Sequence, residues 1–253
     1  MKEFLEVAGD LIFFAVASLR SGLRPPYEWR QLAVQIAEIG WRSLPLVVAS
    51  GFAIGVVTTL HTRSTLVQFG AEAMIPGLQS MSFFNELGPL VTGLLLAGRV
   101  GAGIGAELAN MRVTEQIDAI ETLSVDSVKF LVVPRIVACA MAMPLLTTFE
   151  NAAGLAGGYV AEVFRSHISA KLYLSEAFKS VEMANFVPPT LKTTVFGLLI
   201  GIVSCFFGYT INEGSAGVRR AATTSVVVSS LLIILSDVIL VKLIFFLFPE
   251  HAI

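Results

Sequence analysis

Apolar residues along the chain gather into runs long enough to cross a bilayer, separated by short polar stretches. A membrane-crossing helix needs about 20 mostly apolar residues. Residues 44–60, 87–108, 132–160, 191–211 and 226–248 meet or approach that length. Pro134 and Pro144 interrupt the third run, which sets its expected start near Pro134 and a kink at Pro144. Two shorter segments come first. In residues 28–42, Trp29, Leu32, Ala33, Ile36, Ile39 and Gly40 fall on one helical face, while Glu28, Arg30, Gln31, Gln35, Glu38 and Arg42 fall on the other. That pattern predicts an amphipathic helix in the membrane interface, anchored by Trp29 and Trp41. Residues 2–20 are apolar enough to be partly embedded, and Pro25-Pro26 separates the two segments. The expected fold is an all-α integral membrane protein. Interface helices occupy residues 1–43, and a single transmembrane domain of five spans occupies residues 44–253.

Composition agrees with that class. The 253 residues are 55% hydrophobic and 14% charged, with mean hydropathy +0.78, against about 25% charged residues in an ordinary soluble domain. A net charge of −2 without any block of like charge gives no sign of a nucleic-acid partner. Cys139 and Cys205 lie in apolar runs and form no metal or disulfide motif. Ala15-Val16-Ala17 imitates a signal-peptide cleavage site, but Glu3, Glu6 and Asp10 outnumber Lys2, so the segment is read as retained. Orientation follows from the cations. A cytosolic N-terminus puts Lys2, Arg20, Arg24, Arg30, Arg42, Arg112, Lys129, Arg135, Arg219 and Arg220 inside. The other side then holds Arg63, Arg165, Lys171, Lys179, Lys192 and Lys242. Ten against six favours N-in and C-out, with residues 111–130 cytosolic.

Residues 101–106, Gly-Ala-Gly-Ile-Gly-Ala, fit the dinucleotide fingerprint on paper. That loop needs a short strand before it and an acid about 20 residues after it. Here a dozen apolar residues run into the glycines without a turn. Read on a helical period, Ala97, Gly101, Gly105 and Ala109 form one ladder of small residues, and Gly98, Ala102 and Ala106 form a second. Such ladders let membrane helices approach closely. They fit packing within the chain or a homodimer seam.

Ionisable groups at membrane depth are costly and face protein or water. The candidates are Glu86, Arg99, Glu107, Glu150, Asp237 and Lys242. Glu107 is near enough to the cytosolic end to be solvated, and Lys242 can snorkel outward. Arg99 lies mid-span and calls for a partner on another helix, Glu150 or Asp237. These groups serve as interhelical clamps or as a polar lining for a substrate path. A proton-coupled transporter stays among the alternatives, although no internal repeat supports it.

No P-loop, H-E-x-x-H or G-x-S-x-G motif occurs, and His61, His167 and His251 are scattered. No cofactor, metal or catalytic site is expected on this chain. What it does offer is a cytosolic amphipathic segment, residues 112–129. Val113, Ile117, Ile120 and Leu123 form its apolar stripe, and Glu115, Gln116, Asp118, Glu121 and Asp126 its polar face. It suits either a helix lying on its own bundle or one docking into a soluble partner's groove. A membrane scaffold without transport activity would use the same helix.

Several stretches resemble the MlaE/YrbE permease family: residues 85–89 (NELGP), 97–101 (AGRVG), 106–108 (AEL), 111–119 (MRVTEQIDA) and 133–135 (VPR). Further matches are residues 144–147, 154–158 and 217–227 through to Asp237, so the resemblance covers nearly the whole chain from the amphipathic helix onward. The family comprises membrane subunits of ABC transporters that move phospholipids in bacterial inner membranes with MCE-domain partners and support outer-membrane lipid asymmetry. It also has chloroplast relatives. The resemblance implies a homodimer with two copies of an ATPase that carries ATP and Mg. Its other implied partners are an MlaD-like MCE protein and an MlaB-like STAS protein. It further implies a coupling helix at about residues 113–123, with Thr114, Glu115, Gln116, Asp118, Ala119 and Glu121 meeting the ATPase. A lipid cavity near Leu60, His61, Leu66, Phe69, Glu86 and Leu87 follows in the same way. His61, Asn85, Ser127 and Arg219 depart from residues common in the family. The first two affect the detail of the cavity. Ser127, in place of a proline, is expected to loosen the end of the coupling helix.

Overall fold

The computed structural model describes residues 2–25, 27–166, 168–179, 181, 183–211 and 214–247. Pro26, His167, His251 and the expected end of the last span at Phe248 lie outside these residues. Among the described residues there is no strand, and five helices are long and apolar enough to cross a membrane. With that length and composition the chain is an integral membrane protein.

An N-terminal helix, Lys2–Gly22, comes first. Span 1 is one unbroken helix, Trp29–Leu66. The expected interface helix and first span are therefore continuous, and Pro45 sits inside the run without ending it. A membrane helix tolerates a proline where neighbouring groups satisfy the freed carbonyl. Span 2 occupies Glu72–Val113 and contains two π-helical turns, Phe83–Leu87 and Ala97–Gly101. Span 3, Val128–Ser166, opens with a third, Val128–Val132. It begins before Pro134 and continues through Pro144. A short helix Gln116–Thr122 joins spans 2 and 3, and another, Ala170–Lys179, follows span 3. Span 4 lies within Met183–Tyr209 and span 5 is Ser215–Leu247.

The chain divides into two compact units. One holds Met1–Arg42, Leu96–Ala142 and Thr194–Leu235; the other holds Ser43–Leu95, Met143–Thr193 and Ser236–Ile253. Each span contributes a part to both.

In the first unit the ladder Ala97, Gly101, Gly105 and Ala109 is buried. A methyl group at Gly105 would lie 2.6 Å from Ser225 Oγ, and one at Gly101 3.1 Å from Ser204 Oγ. This ladder packs within the chain. The second ladder differs: Gly98 is exposed and has nothing within 4 Å of a Cβ position.

The second unit is built on closer contacts still. Cβ positions at Gly51 and Gly55 of span 1 meet the carbonyl oxygens of Glu150 and Gly154 of span 3, while that at Gly157 meets the Phe52 carbonyl. Small residues here let backbone touch backbone. The short helices Ile75–Ser82 and Ala170–Lys179 pack together, with Ser80 Oγ donating to the Ala177 carbonyl and Tyr173 fully buried.

Candidate functional site

Span 2 ends at Val113, and the chain reverses through Thr114 and Glu115. Glu115 has φ 59°, in the left-handed region that non-glycine residues seldom occupy. Thr114 Oγ1 donates to the Asn110 carbonyl at 2.8 Å, and Gln116 Nε2 donates to Thr114 Oγ1 at 3.0 Å. The helix Gln116–Thr122 then starts from this held corner. Ile117 is fully buried beneath it. Thr114, Glu115, Gln116, Asp118, Ala119 and Glu121 are all exposed. Of the expected apolar stripe, Ile117 is buried, Ile120 is half-buried and Leu123 is 77% exposed. Leu123 thus belongs to the outer surface.

The ridge is braced on both sides. Arg112 pairs with Asp118 at 2.6 Å and lies 5.9 Å from the centre of the Tyr209 ring. Ser127 Oγ donates to Glu121 Oε1 at 2.6 Å and lies 2.7 Å from the Tyr209 hydroxyl, which itself donates to Glu121 at 3.0 Å. These two donors hold the Glu121 carboxyl below its ordinary value. Ser127, expected to loosen this end, instead ties it, because its buried hydroxyl supplies a bond that a proline could not. Tyr209 was not legible as part of this frame; its only signal is a polar-tipped aromatic closing span 4.

The intramembrane charges fall into separate clusters. In the second unit, Lys192 Nζ lies 2.8 Å from Glu86 Oε2 and 2.9 Å from Asp237 Oδ1. The Lys192 side chain is 1% exposed and that of Glu86 40%. Lys192, expected from the loop cations on the outer side, is instead buried at the centre of a triad. Glu150, fully buried, accepts from Ser50 Oγ at 3.1 Å and Thr92 Oγ1 at 3.3 Å. Glu150 and Asp237, expected as candidates to pair with Arg99, thus have these other partners. In the first unit, Glu107 pairs with the buried Arg135 at 2.8 Å. Arg99, in the second π turn, lines a cavity of about 280 Å³ with Gln35, Glu38, Arg42, Gly103 and Glu107. π turns add a residue to a helix and recur at functional positions. Two of the three carry one of these charges, Glu86 and Arg99.

The residues expected around a lipid cavity occupy three elements. Leu60, His61 and Leu66 lie on the last turns of span 1, followed by the 77% exposed Phe69. Glu86 and Leu87 lie in the first π turn of span 2, both half-buried.

The comparisons with known proteins fit this architecture. Residues 32–243 match the family model described as Permease MlaE. The chain belongs to the MlaE permease family. A Rickettsia typhi protein named a probable ABC transporter permease protein is 38% identical over 96% of this chain and 94% of its own length. A Synechocystis protein, also named a probable ABC transporter permease protein, is 34% identical over 85% of this chain and 82% of its own. An Arabidopsis thaliana chloroplast protein, named trigalactosyldiacylglycerol 1, is 29% identical over 88% of this chain and 64% of its own. The chain is therefore an ABC transporter permease, a transport subunit of a class that implies an ATPase partner.

Proposed function

We propose that this permease moves phospholipid between membranes, powered by two copies of a separate ATPase docked on the ridge Thr114–Glu121. The observation that carries the reading is the ridge itself. All six of its expected docking residues are exposed while Ile117 anchors it and the Arg112–Asp118 and Glu121–Ser127–Tyr209 contacts keep it rigid. A rigid exposed helix is what a partner's groove grips, and it can pass an ATPase movement to span 2 as a rigid-body shift. ATP and Mg belong on the ATPase in this reading.

The lipid substrate is supported by the lipid in the name of the chloroplast relative and by the exposed apolar residues Leu60 and Phe69 at the end of span 1. The proposed assembly is a homodimer in a bacterial inner membrane, N-terminus cytosolic and C-terminus periplasmic, joined by an MlaD-like MCE protein and an MlaB-like STAS protein. With Lys192 and Arg135 withdrawn from the loop tally because both are buried, the cations stand at nine against five for that orientation. The test is lipid transfer between vesicles, with permease and ATPase reconstituted in the donor. Transfer should require ATP and should be lost in Glu115→Lys/Asp118→Lys. ATP-independent transfer, or none with the complete assembly, overturns the reading.

A further inference from the structure

On the first unit, the end of the N-terminal helix faces the loop after Gln116–Thr122. A cavity of about 360 Å³ lies there, bounded by apolar Phe13, Val16 and Ala17 and by the cations Arg20, Arg24 and Lys129. Its acid is Asp126, whose Oδ2 accepts from Ser21 Oγ at 3.4 Å and whose Oδ1 accepts the Lys129 backbone N–H at 3.1 Å. Lys129 also lines a second, mainly apolar cavity of about 220 Å³, with Tyr27, Glu28, Trp29, Leu32, Val133 and Val137. Three cations thus face one hydrogen-bonded carboxylate in the first space, and an apolar slot adjoins it through a shared lysine.

The surroundings are those of a membrane interface. Phe13 is 77% exposed and Leu23 78%, bracketing Arg20 along the chain. The Tyr27 and Trp29 rings, 5.7 Å apart and both exposed, mark headgroup depth. Basic pockets among membrane helices attract anionic headgroups. We propose that the two cavities hold one anionic glycerophospholipid, its phosphate against Arg20, Arg24 and Lys129 and the start of an acyl chain in the slot beside Val133 and Val137. This lipid is a fixed ligand rather than cargo, and the proposal stands whether or not the permease transports lipid. Bound there, it would fasten the N-terminal helix to the Asp126 loop that follows the ridge.

The test uses the full chain in neutral detergent, titrated with dioctanoyl phosphatidylglycerol, dioctanoyl phosphatidylcholine or inorganic phosphate and read by thermal shift. Phosphatidylglycerol should bind at least tenfold more tightly than phosphatidylcholine at low salt. Arg20→Gln/Arg24→Gln/Lys129→Gln should bring the two within about twofold, while Arg20→Lys/Arg24→Lys keeps the preference. Equal shifts from both lipids, a full shift from inorganic phosphate, or an unchanged preference in the triple variant overturns the proposal. A second measurement needs no variant: phosphatidylglycerol with a photoreactive tail should label residues 27–32 or 133–137 of the wild-type chain. Labelling confined to other segments overturns it as well.

Discussion

Lys192 Nζ and Asp237 Oδ1 lie 2.9 Å apart, with the lysine side chain 1% exposed and the aspartate 9%. Span 4 supplies the cation and span 5 the anion, and Glu86 of span 2 closes the triad from its more open side. Removing one partner from such a pair leaves a stranded charge, which costs more than the pair contributes when whole. Lys192→Met should therefore destabilise the folded permease by about 3–5 kcal/mol, measured by unfolding in detergent. Lys192→Met/Asp237→Asn should recover part of that loss. A double variant no better than the single would show that the pairing is not what holds the site.

The backbone contact between spans 1 and 3 gives a contrast within one residue type. Gly55→Ala drives a methyl group into the Gly154 carbonyl, whereas Gly98→Ala meets nothing. The first should sharply lower the yield of monodisperse protein and the melting temperature. The second should leave the isolated chain unchanged or raise its stability by about 0.5–1 kcal/mol, since alanine outranks glycine in a helix. If a partner copy packs on the Gly98 face, Gly98→Leu should shift the oligomer towards monomer in size-exclusion chromatography with light scattering.

Glu121 makes the ridge acid-sensitive. Ser127 and Tyr209 depress its carboxyl below the ordinary value of 4.5. A depressed carboxylate contributes stability that is present above the unfolded-state value and is lost as pH falls through the folded one. Glu121→Gln should flatten the decline in melting temperature below about pH 4.5. Ser127→Ala, which removes one of the two donors, should flatten that decline in part. Because Glu121 is exposed, the effect is small and fades at high salt.

Docking can be separated from folding on the ridge. Ala119→Arg places bulk and charge on an exposed position without touching a bonded side chain. It should abolish co-purification of the ATPase while leaving the melting temperature within about 1 °C, given that most surface substitutions stay within about 0.5 kcal/mol. Glu115→Gly should relieve the left-handed turn and stabilise the chain by about 0.5–1 kcal/mol. Retained ATPase binding in Ala119→Arg would remove this face from the docking surface.

The spans were legible because apolar length is a direct signal of a bilayer crossing, and the exposure of the ridge Thr114–Glu121 agrees with its charged residues. The continuity of Trp29–Leu66 was hidden, since its first turns read as an interface helix. Lys192 was hidden for a different reason. It stands at the start of an apolar run, where a lysine ordinarily reaches for water, and only the acids on spans 2 and 5 turn it inward. The two ladders of small residues have the same spacing, yet one is buried throughout while the other is exposed at Gly98 and half-buried at Ala102 and Ala106; residue size alone does not say which face has a neighbour. Ser127 was misread because a proline's stiffness was weighed and a hydroxyl's bonding was not.

The seam of Gly51, Gly55, Gly154 and Gly157 also limits how the permease can move. At Gly51, Gly55 and Gly157 a carbonyl oxygen of the facing span sits in the hollow left by the absent side chain, like teeth in a gear. Such a seam has no halfway setting: spans 1 and 3 either travel together or jump by a whole notch.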